Sequence, residues 1–160
     1  MTIYLVVLLA VLNQAGFNGS RVAVSLHALE LGASQFTVGV IVALYSVCPM
    51  LFSIAIGRIS DRVPPRLPMI LGSVMTVAGL LLPALAPEIV TLCLAGLLLG
   101  LGHQVFNIPL EAVVGGVGGP QHRARNYAVI TMGWSVANFI GPLVTGFSID
   151  WLGHRHVYWV

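Results

Sequence analysis

Residues 89–110 read IVTLCLAGLLLGLGHQVFNIPL and contain no Asp, Glu, Lys or Arg. The hydrocarbon core of a bilayer is about 30 Å thick, so a helix needs about 20 mainly apolar residues to cross it. Charged side chains at the centre of such a helix oppose insertion, and this stretch has none. It therefore predicts a helix that spans a membrane.

Three other stretches, residues 36–56, 67–85 and 127–149, share this character. A fifth, residues 3–29, is long enough but contains three amide side chains and Arg21. It lacks the basic region that opens a cleaved signal peptide, and its apolar pattern resumes after Arg21, so we interpret it as a first helix. The predicted helices cover about residues 3–30, 36–57, 67–86, 89–113 and 126–150.

The composition of the chain excludes an ordinary soluble domain. Of its 160 residues, 58% are hydrophobic and 8% are charged, whereas soluble domains are about 45 to 50% apolar and about 25% charged. The net charge of +2 is too small and too scattered to indicate nucleic-acid binding. Cys48 and Cys93 lie in apolar runs and are interpreted as small buried hydrophobic residues. The lipid bilayer is therefore the expected partner.

The distribution of charge predicts the orientation. Short connections are predicted at residues 32–34, 64–65, 87 and 115–120, which are rich in Gly and Pro. Five arginines fall on one side of the predicted membrane: Arg58, Arg62, Arg66, Arg123 and Arg125. Cytoplasmic loops carry an excess of basic residues, so this side and the N-terminus are predicted to be cytoplasmic. We expect a multi-pass protein of the plasma or inner membrane.

Three of the predicted helices carry polar residues on one face when residues are placed at 100° intervals. The faces comprise Asn13, Gln14, Asn18 and Arg21 on the first helix, Gly96, Gly100, His103, Gln104, Asn107 and Glu111 on the fourth, and Thr131, Ser135, Asn138 and Thr145 on the fifth. Any single Asn, Ser or Thr is accounted for by hydrogen bonding between helices. Three faces together predict a water-accessible path, because unpaired polar groups in hydrocarbon are unfavourable by several kcal/mol.

The candidate substrate-binding residues are Gln14, Asn18, Arg21, His103, Gln104, Asn107 and Asn138. Arg21 is predicted to lie in the outer half of the membrane, where it can bind a carboxylate or phosphate with two hydrogen bonds. The alternatives are that Arg21 extends toward the interface or pairs with an acidic residue elsewhere in the protein. His103 is a candidate for binding substrate or carrying a coupling proton, and the alternative is a packing role.

The fifth predicted helix has a second face made of small residues. Gly133, Ala137 and Gly141 recur at every fourth position, a spacing that allows two helix backbones to approach closely. Pro142 lacks a backbone N–H and is predicted to kink the helix. We interpret this face as a helix-packing surface.

The connection between the second and third predicted helices reads Gly57-Arg58-Ile59-Ser60-Asp61-Arg62-Val63-Pro64-Pro65-Arg66. It resembles the loop signature G-x-L-a-D-R-x-G-R/K-R/K of the major facilitator superfamily, in the expected place. Gly57, Asp61, Arg62 and Arg66 match, whereas Pro64 and Pro65 depart from the pattern. Residues 98–109, 118–125 and 137–146 are also similar to family segments, so the resemblance covers nearly the whole chain. Gly96 stands where the family commonly has an arginine.

The resemblance implies an architecture of two six-helix halves with the substrate between them. The fold class expected for this chain is therefore an all-α membrane protein, an incomplete N-terminal six-helix bundle with five transmembrane helices, and a sixth span beginning at residues 157–160. We expect it to be a fragment whose partners are the missing C-terminal half, a small-molecule substrate and a coupling proton. No cofactor and no metal are expected, and the pair His154 and His156 is not interpreted as a metal site.

In this family the loop is understood to hold the inner helix ends together in one state and to release them in another. The resemblance implies this gating role for Gly57, Asp61, Arg62 and Arg66, and we expect Glu111 to lie within reach of Arg62, Arg66 or Arg125.

The function predicted from the sequence is secondary transport of a small organic solute by alternating access, without enzymatic activity. One alternative is a membrane scaffold that acts through helix packing alone. Another is an intramembrane serine hydrolase, because residues 133–137 approximate a G-x-S-x-G pattern and His103 is predicted at a similar depth to Ser135.

Overall fold

The structure is a computed structural model that describes the backbone of residues 3–152 and the side chains of residues 6–151. Five α-helices follow one another: α1 (Ile3–Glu30), α2 (Gln35–Ser60), α3 (Arg66–Leu85), α4 (Ile89–Gly116) and α5 (Arg123–Leu152), with a 3₁₀ turn at Pro120–His122 before α5. The predicted start of a sixth span at residues 157–160 lies outside the described residues, as do His154 and His156.

Four of the described helices, α2 to α5, are long and apolar enough to cross a membrane. The all-helical fold is therefore confirmed. The first predicted span forms a helix of 28 residues, α1. Within the described part of the chain, α1 is not one of these four helices, so its crossing of the bilayer stays a prediction.

Two helices extend into stretches predicted to be loops. α2 continues to Ser60 and includes the first residues of the signature motif, and the Asp61 N–H donates to the Gly57 carbonyl at 3.0 Å. α4 continues through Gly115 and Gly116, so the turn that follows is shorter than predicted. A run of apolar residues marks only the part of a helix that lies in the hydrocarbon core. The helix can continue beyond that core where its terminal N–H and C=O groups find hydrogen-bond partners.

The turn after α4 is held by side chains from the start of α5. The Asn126 amide donates to the carbonyls of Val114 at 3.0 Å and Val117 at 2.7 Å. These carbonyls lie at the end of α4, where no partner is available within the helix. Gly118 and Gly119 adopt φ of 74° and 84°, which favours glycine. These bonds link the end of α4 to the first turn of α5, which begins at Arg123, before its apolar stretch.

α4 lies at the centre of the bundle and contacts α1, α2 and α3. Glycines make this possible, since a Cβ at Gly96 would lie 3.0 Å from the Tyr45 ring of α2, and one at Gly102 would lie 2.9 Å from the Gly72 carbonyl of α3. Gly100 also lies against the Tyr45 backbone. Gly96 and Gly100, which share the polar face of the fourth predicted helix, both pack against α2.

α1 packs along α5 through small residues. A Cβ at Gly133 would lie 2.6 Å from a Val11 methyl, and a Cβ at Gly141 would lie 2.5 Å from the Ala15 carbonyl oxygen. Ala137 is fully buried between them. The face of small residues on α5 therefore lies against α1, and it sets the distance between the two helices.

Candidate functional site

A hydrogen-bonded group of amides joins α1 to α5. The side chains of Gln14 and Asn18 both donate to Asn138 Oδ1, at 3.2 Å and 2.5 Å. Gln14 and Asn18 are half-buried and Asn138 is exposed in the isolated bundle. Because one oxygen accepts both bonds, the Asn138 amide nitrogen makes no hydrogen bond to any residue that the structure describes. This group can therefore still bind water or a ligand.

His103 is the centre of a second polar group, between α1 and α4. Its Nδ1 lies 3.4 Å from Asn13 Oδ1. The amide nitrogen of Asn107 lies 3.1 Å from Nδ1 and 2.9 Å from Nε2, and it donates to the His103 backbone carbonyl at 3.1 Å. One ring face stacks on Phe17, with centroids 3.9 Å apart and planes 7° from parallel. The imidazole is thus fixed by two amides and one aromatic ring. Such a group can exchange a hydrogen bond or a proton without changing its position.

Arg21 extends toward an aromatic residue of α2. Its guanidinium carbon lies 5.8 Å from the centroid of the Tyr45 ring, within the range of a cation–π contact. The Tyr45 hydroxyl is 3.5 Å from the Ser20 hydroxyl, and Phe17 meets the Tyr45 ring edge-on at 5.7 Å. Arg21 makes no ion pair with any described residue.

A cleft of about 390 Å³ lies beside these groups, between α2 and α4. Gln104 and His103 contribute to it from α4. The rest of its lining is Gly100 and five residues of α2: Tyr45, Ser46, Pro49, Met50 and Ser53. Its volume is within the range of small-molecule sites, and its lining combines apolar and hydrogen-bonding groups. The cleft can therefore accept a small organic ligand.

The predicted substrate-binding residues thus fall into three adjacent places. Gln14, Asn18 and Asn138 form the amide group, and His103 and Asn107 form the imidazole group. Arg21 lies beside the Tyr45 ring, and Gln104 lines the cleft. Sequence reasoning missed Phe17 and all of the contributions from α2. A signal was present in α2, since Tyr45, Pro49 and Ser53 recur at every fourth position and interrupt an aliphatic run.

The remaining polar residues of α5 do not join these groups. The hydroxyls of Thr131 and Ser135 donate to carbonyls one turn earlier in the same helix, at 2.8 Å and 3.0 Å. Thr145 is buried against Gly19. Ser135 and His103 do not hydrogen-bond to each other: the Ser135 hydroxyl donates to the Thr131 carbonyl, and the His103 ring contacts Asn13 and Asn107. The pair of Ser135 and His103 that the hydrolase alternative requires is therefore not formed in this structure.

The gating residues lie at the end of the bundle that carries the arginines. Asp61, Arg62, Arg66 and Glu111 are exposed, and Gly57 is half-buried. Within the described chain, Asp61 and Glu111 form no ion pair. Glu111 contacts the start of α5 through its backbone carbonyl, which accepts a bond from the Tyr127 hydroxyl at 3.0 Å. Its reach to Arg62, Arg66 or Arg125 stays a prediction. Among the described residues, no group of three or more His, Cys, Asp or Glu side chains could hold a metal ion.

Comparison with known proteins gives a consistent result. The sequence profile of the Major Facilitator Superfamily matches residues 6–160. The chain is 31% identical over 125 residues to proteins named "Multidrug resistance protein MdtH" from Yersinia pestis (strain Pestoides F) and from Yersinia pseudotuberculosis serotype O:3 (strain YPIII). Each match covers 78% of this chain and 31% of the relative, so the matched segment is about a third of the relatives' length. This chain belongs to the Major Facilitator Superfamily.

Proposed function

We propose that this chain is the N-terminal part of a secondary transporter that moves a small organic solute across the plasma or inner membrane by alternating access. The solute site is proposed to comprise the polar groups of α1, α4 and α5 and the adjoining cleft between α2 and α4, and to be completed by a C-terminal half. Names of the relatives refer to multidrug resistance, and we therefore include drug-like organic molecules among the proposed solutes.

The observation that carries the proposal is the convergence of amide and imidazole groups far from the helix ends. His103 lies near the middle of α4, a helix of 28 residues, and Asn138 near the middle of α5, a helix of 30 residues. If these side chains faced lipid at that depth, their remaining hydrogen-bond donors and acceptors would have no partner. Each such group is unfavourable by several kcal/mol. Water or a polar solute satisfies the same capacity. Polar residues at this depth therefore favour a hydrated passage.

The exposed signature motif supports the conformational part of the proposal. Asp61 is exposed at the C-terminal end of α2, beside Arg58 and Arg62, and is unpaired among the residues that the structure describes. It is therefore available for a contact that forms in only one state of the transport cycle. A ligand or contact can shift such an equilibrium only through a difference in free energy between the two states. We propose that Asp61, Arg62 and Arg66 supply this difference.

A thiol-labelling experiment tests the proposal. In the full-length protein, with Cys48 and Cys93 changed to Ser, single cysteines are placed at positions 14, 18, 103 and 107 and treated with a water-soluble maleimide. Maleimides react with the thiolate, which forms only in contact with water, so we expect labelling about tenfold or more faster than at positions facing lipid. Val74→Cys and Val77→Cys are matched controls, because both valines are more than half exposed on α3, which packs along α4.

Equal, slow labelling at the polar positions and at the α3 controls would contradict a hydrated passage. That result would favour the alternative of a scaffold, in which the amides serve only to hold helices together.

A further inference from the structure

Arg21 is the one charged side chain among residues 6–151 that lies far from both ends of its helix. The other described charges are Glu30, Arg58, Asp61, Arg62, Arg66, Glu88, Glu111, Arg123, Arg125 and Asp150, which lie at helix ends, in the turns or within the last turns of a helix. The interior of the described bundle therefore carries a positive charge with no described counter-charge. A charge at this depth is unfavourable unless it is paired, which makes it a candidate for ligand binding.

The surroundings of Arg21 leave its hydrogen-bond donors free. The Tyr45 ring lies 5.8 Å from the guanidinium carbon and is itself buried, at 2% exposure. A cation–π contact at this distance places no acceptor oxygen on the guanidinium N–H groups. Arg21 donates no hydrogen bond to any described residue, and it is half-buried. The fork of donors that matches a carboxylate is therefore unoccupied.

The cleft between α2 and α4 shares Tyr45 with this position, because Tyr45 lines the cleft and its ring centroid lies 5.8 Å from the Arg21 guanidinium carbon. Pro49 and Met50 give the cleft apolar surface, while Ser46 and Gln104 give it hydrogen-bonding groups. None of the described residues that line it is acidic. A cationic ligand would thus meet Arg21 without a counter-charge, whereas an anionic ligand would neutralise it.

From this geometry we propose that the solute is an organic anion, with its carboxylate on Arg21 and its apolar body in the cleft between α2 and α4. The inference rests on the proposed transport function and adds the chemical class of the solute. Arg21 acts as the residue that selects charge, and Tyr45 positions it.

Three probes of one shape and different charge test the inference: 1-naphthoate, the neutral 1-naphthamide and the cation 1-naphthylmethyl-trimethylammonium. Binding of each is measured with the purified full-length protein in lipid nanodiscs. Replacing Arg21 by Gln removes charge-assisted bonds, so we expect R21Q to weaken naphthoate binding about 10- to 100-fold. Naphthamide binding should be unchanged within about twofold, since a neutral amide does not require the charge. R21K keeps the charge but lacks the two parallel N–H donors of arginine. Its affinity for naphthoate should therefore lie between those of the unmodified protein and R21Q.

The size-exclusion profile and thermal unfolding of R21Q and R21K show whether the variants fold, and R21K provides the comparison if R21Q does not. Tighter binding of the cation than of naphthoate would overturn the inference, as would naphthoate binding that R21Q and R21K leave unchanged. Absence of naphthoate binding would also overturn it. The proposed transport function survives these results if positions 103 and 107 react with the water-soluble maleimide, and it fails if they do not.

Discussion

Replacing Gly141 by Leu is expected to prevent α1 and α5 from packing and to leave little folded protein. A Cβ at position 141 would lie 2.5 Å from the Ala15 carbonyl oxygen. That neighbour is backbone, so it cannot move aside as the end of a flexible side chain can. The helices would have to separate along their length, and we expect a loss of stability of about 3 kcal/mol or more.

The measurement is thermal unfolding in detergent, followed by size-exclusion chromatography and by the change in tryptophan fluorescence. Gly146→Leu is the matched control, since Gly146 lies on the same helix and a Cβ there would meet no described atom within 4 Å. It should unfold within about a degree or two of the unmodified protein, because a Cβ at this half-buried position has open space around it and changes away from packed features are usually worth less than about 0.5 kcal/mol. Equal destabilisation by both substitutions would show that the close approach of α1 and α5 is not what the leucine disturbs.

Replacing Asp61 by Asn is expected to slow transport while solute binding is retained. Asn has nearly the same shape and keeps the backbone N–H that donates to the Gly57 carbonyl, so the end of α2 should stay intact. Only the charge is lost. If Asp61 forms an ion pair in one state of the cycle, its removal changes the equilibrium between states by about 1 to 3 kcal/mol, and transport should slow about 5- to 150-fold.

The rate is measured in proteoliposomes with a solute that the purified protein binds, such as 1-naphthoate, and binding is measured in parallel. Arg58→Gln is the control. It changes a charge on the same turn of α2, at a position that the family signature leaves variable. We expect R58Q to transport at a rate close to that of the unmodified protein. Loss of binding in D61N equal to its loss of transport would count against a gating role, and so would an equal effect of R58Q.

The all-helical fold could be predicted because insertion into a bilayer depends on local composition. Residues 89–110 carry no charge, and the helix they predict is observed as part of α4. The continuation of α4 through Gly116 could not be predicted in this way. It depends on Asn126, which bonds to carbonyls at the end of α4 from the next helix. A single hydrogen bond between two helices produces no periodic pattern in the sequence of either helix.

The candidate site was predictable where polar side chains interrupt an apolar helix, as Asn18 and His103 do. Helical periodicity gives the face on which a residue lies but not the helix that the face meets. Gly96 shares a face with His103 by periodicity, yet it packs against Tyr45. For the same reason the roles of Tyr45 and Phe17 were not predicted, since aromatic residues in an apolar run are equally compatible with contact with lipid, with the core or with a site.

The proposal that the polar groups line a passage open alternately to either side is tested most directly by labelling Asn107→Cys from each side of the membrane. Right-side-out and inside-out vesicles of the full-length protein, with Cys48 and Cys93 changed to Ser, are treated with a membrane-impermeant maleimide. We expect the thiol introduced at position 107 to react from both sides, and D61N to change the ratio of the two rates. Reaction from one side only in every variant, or from neither side, would contradict the proposed passage.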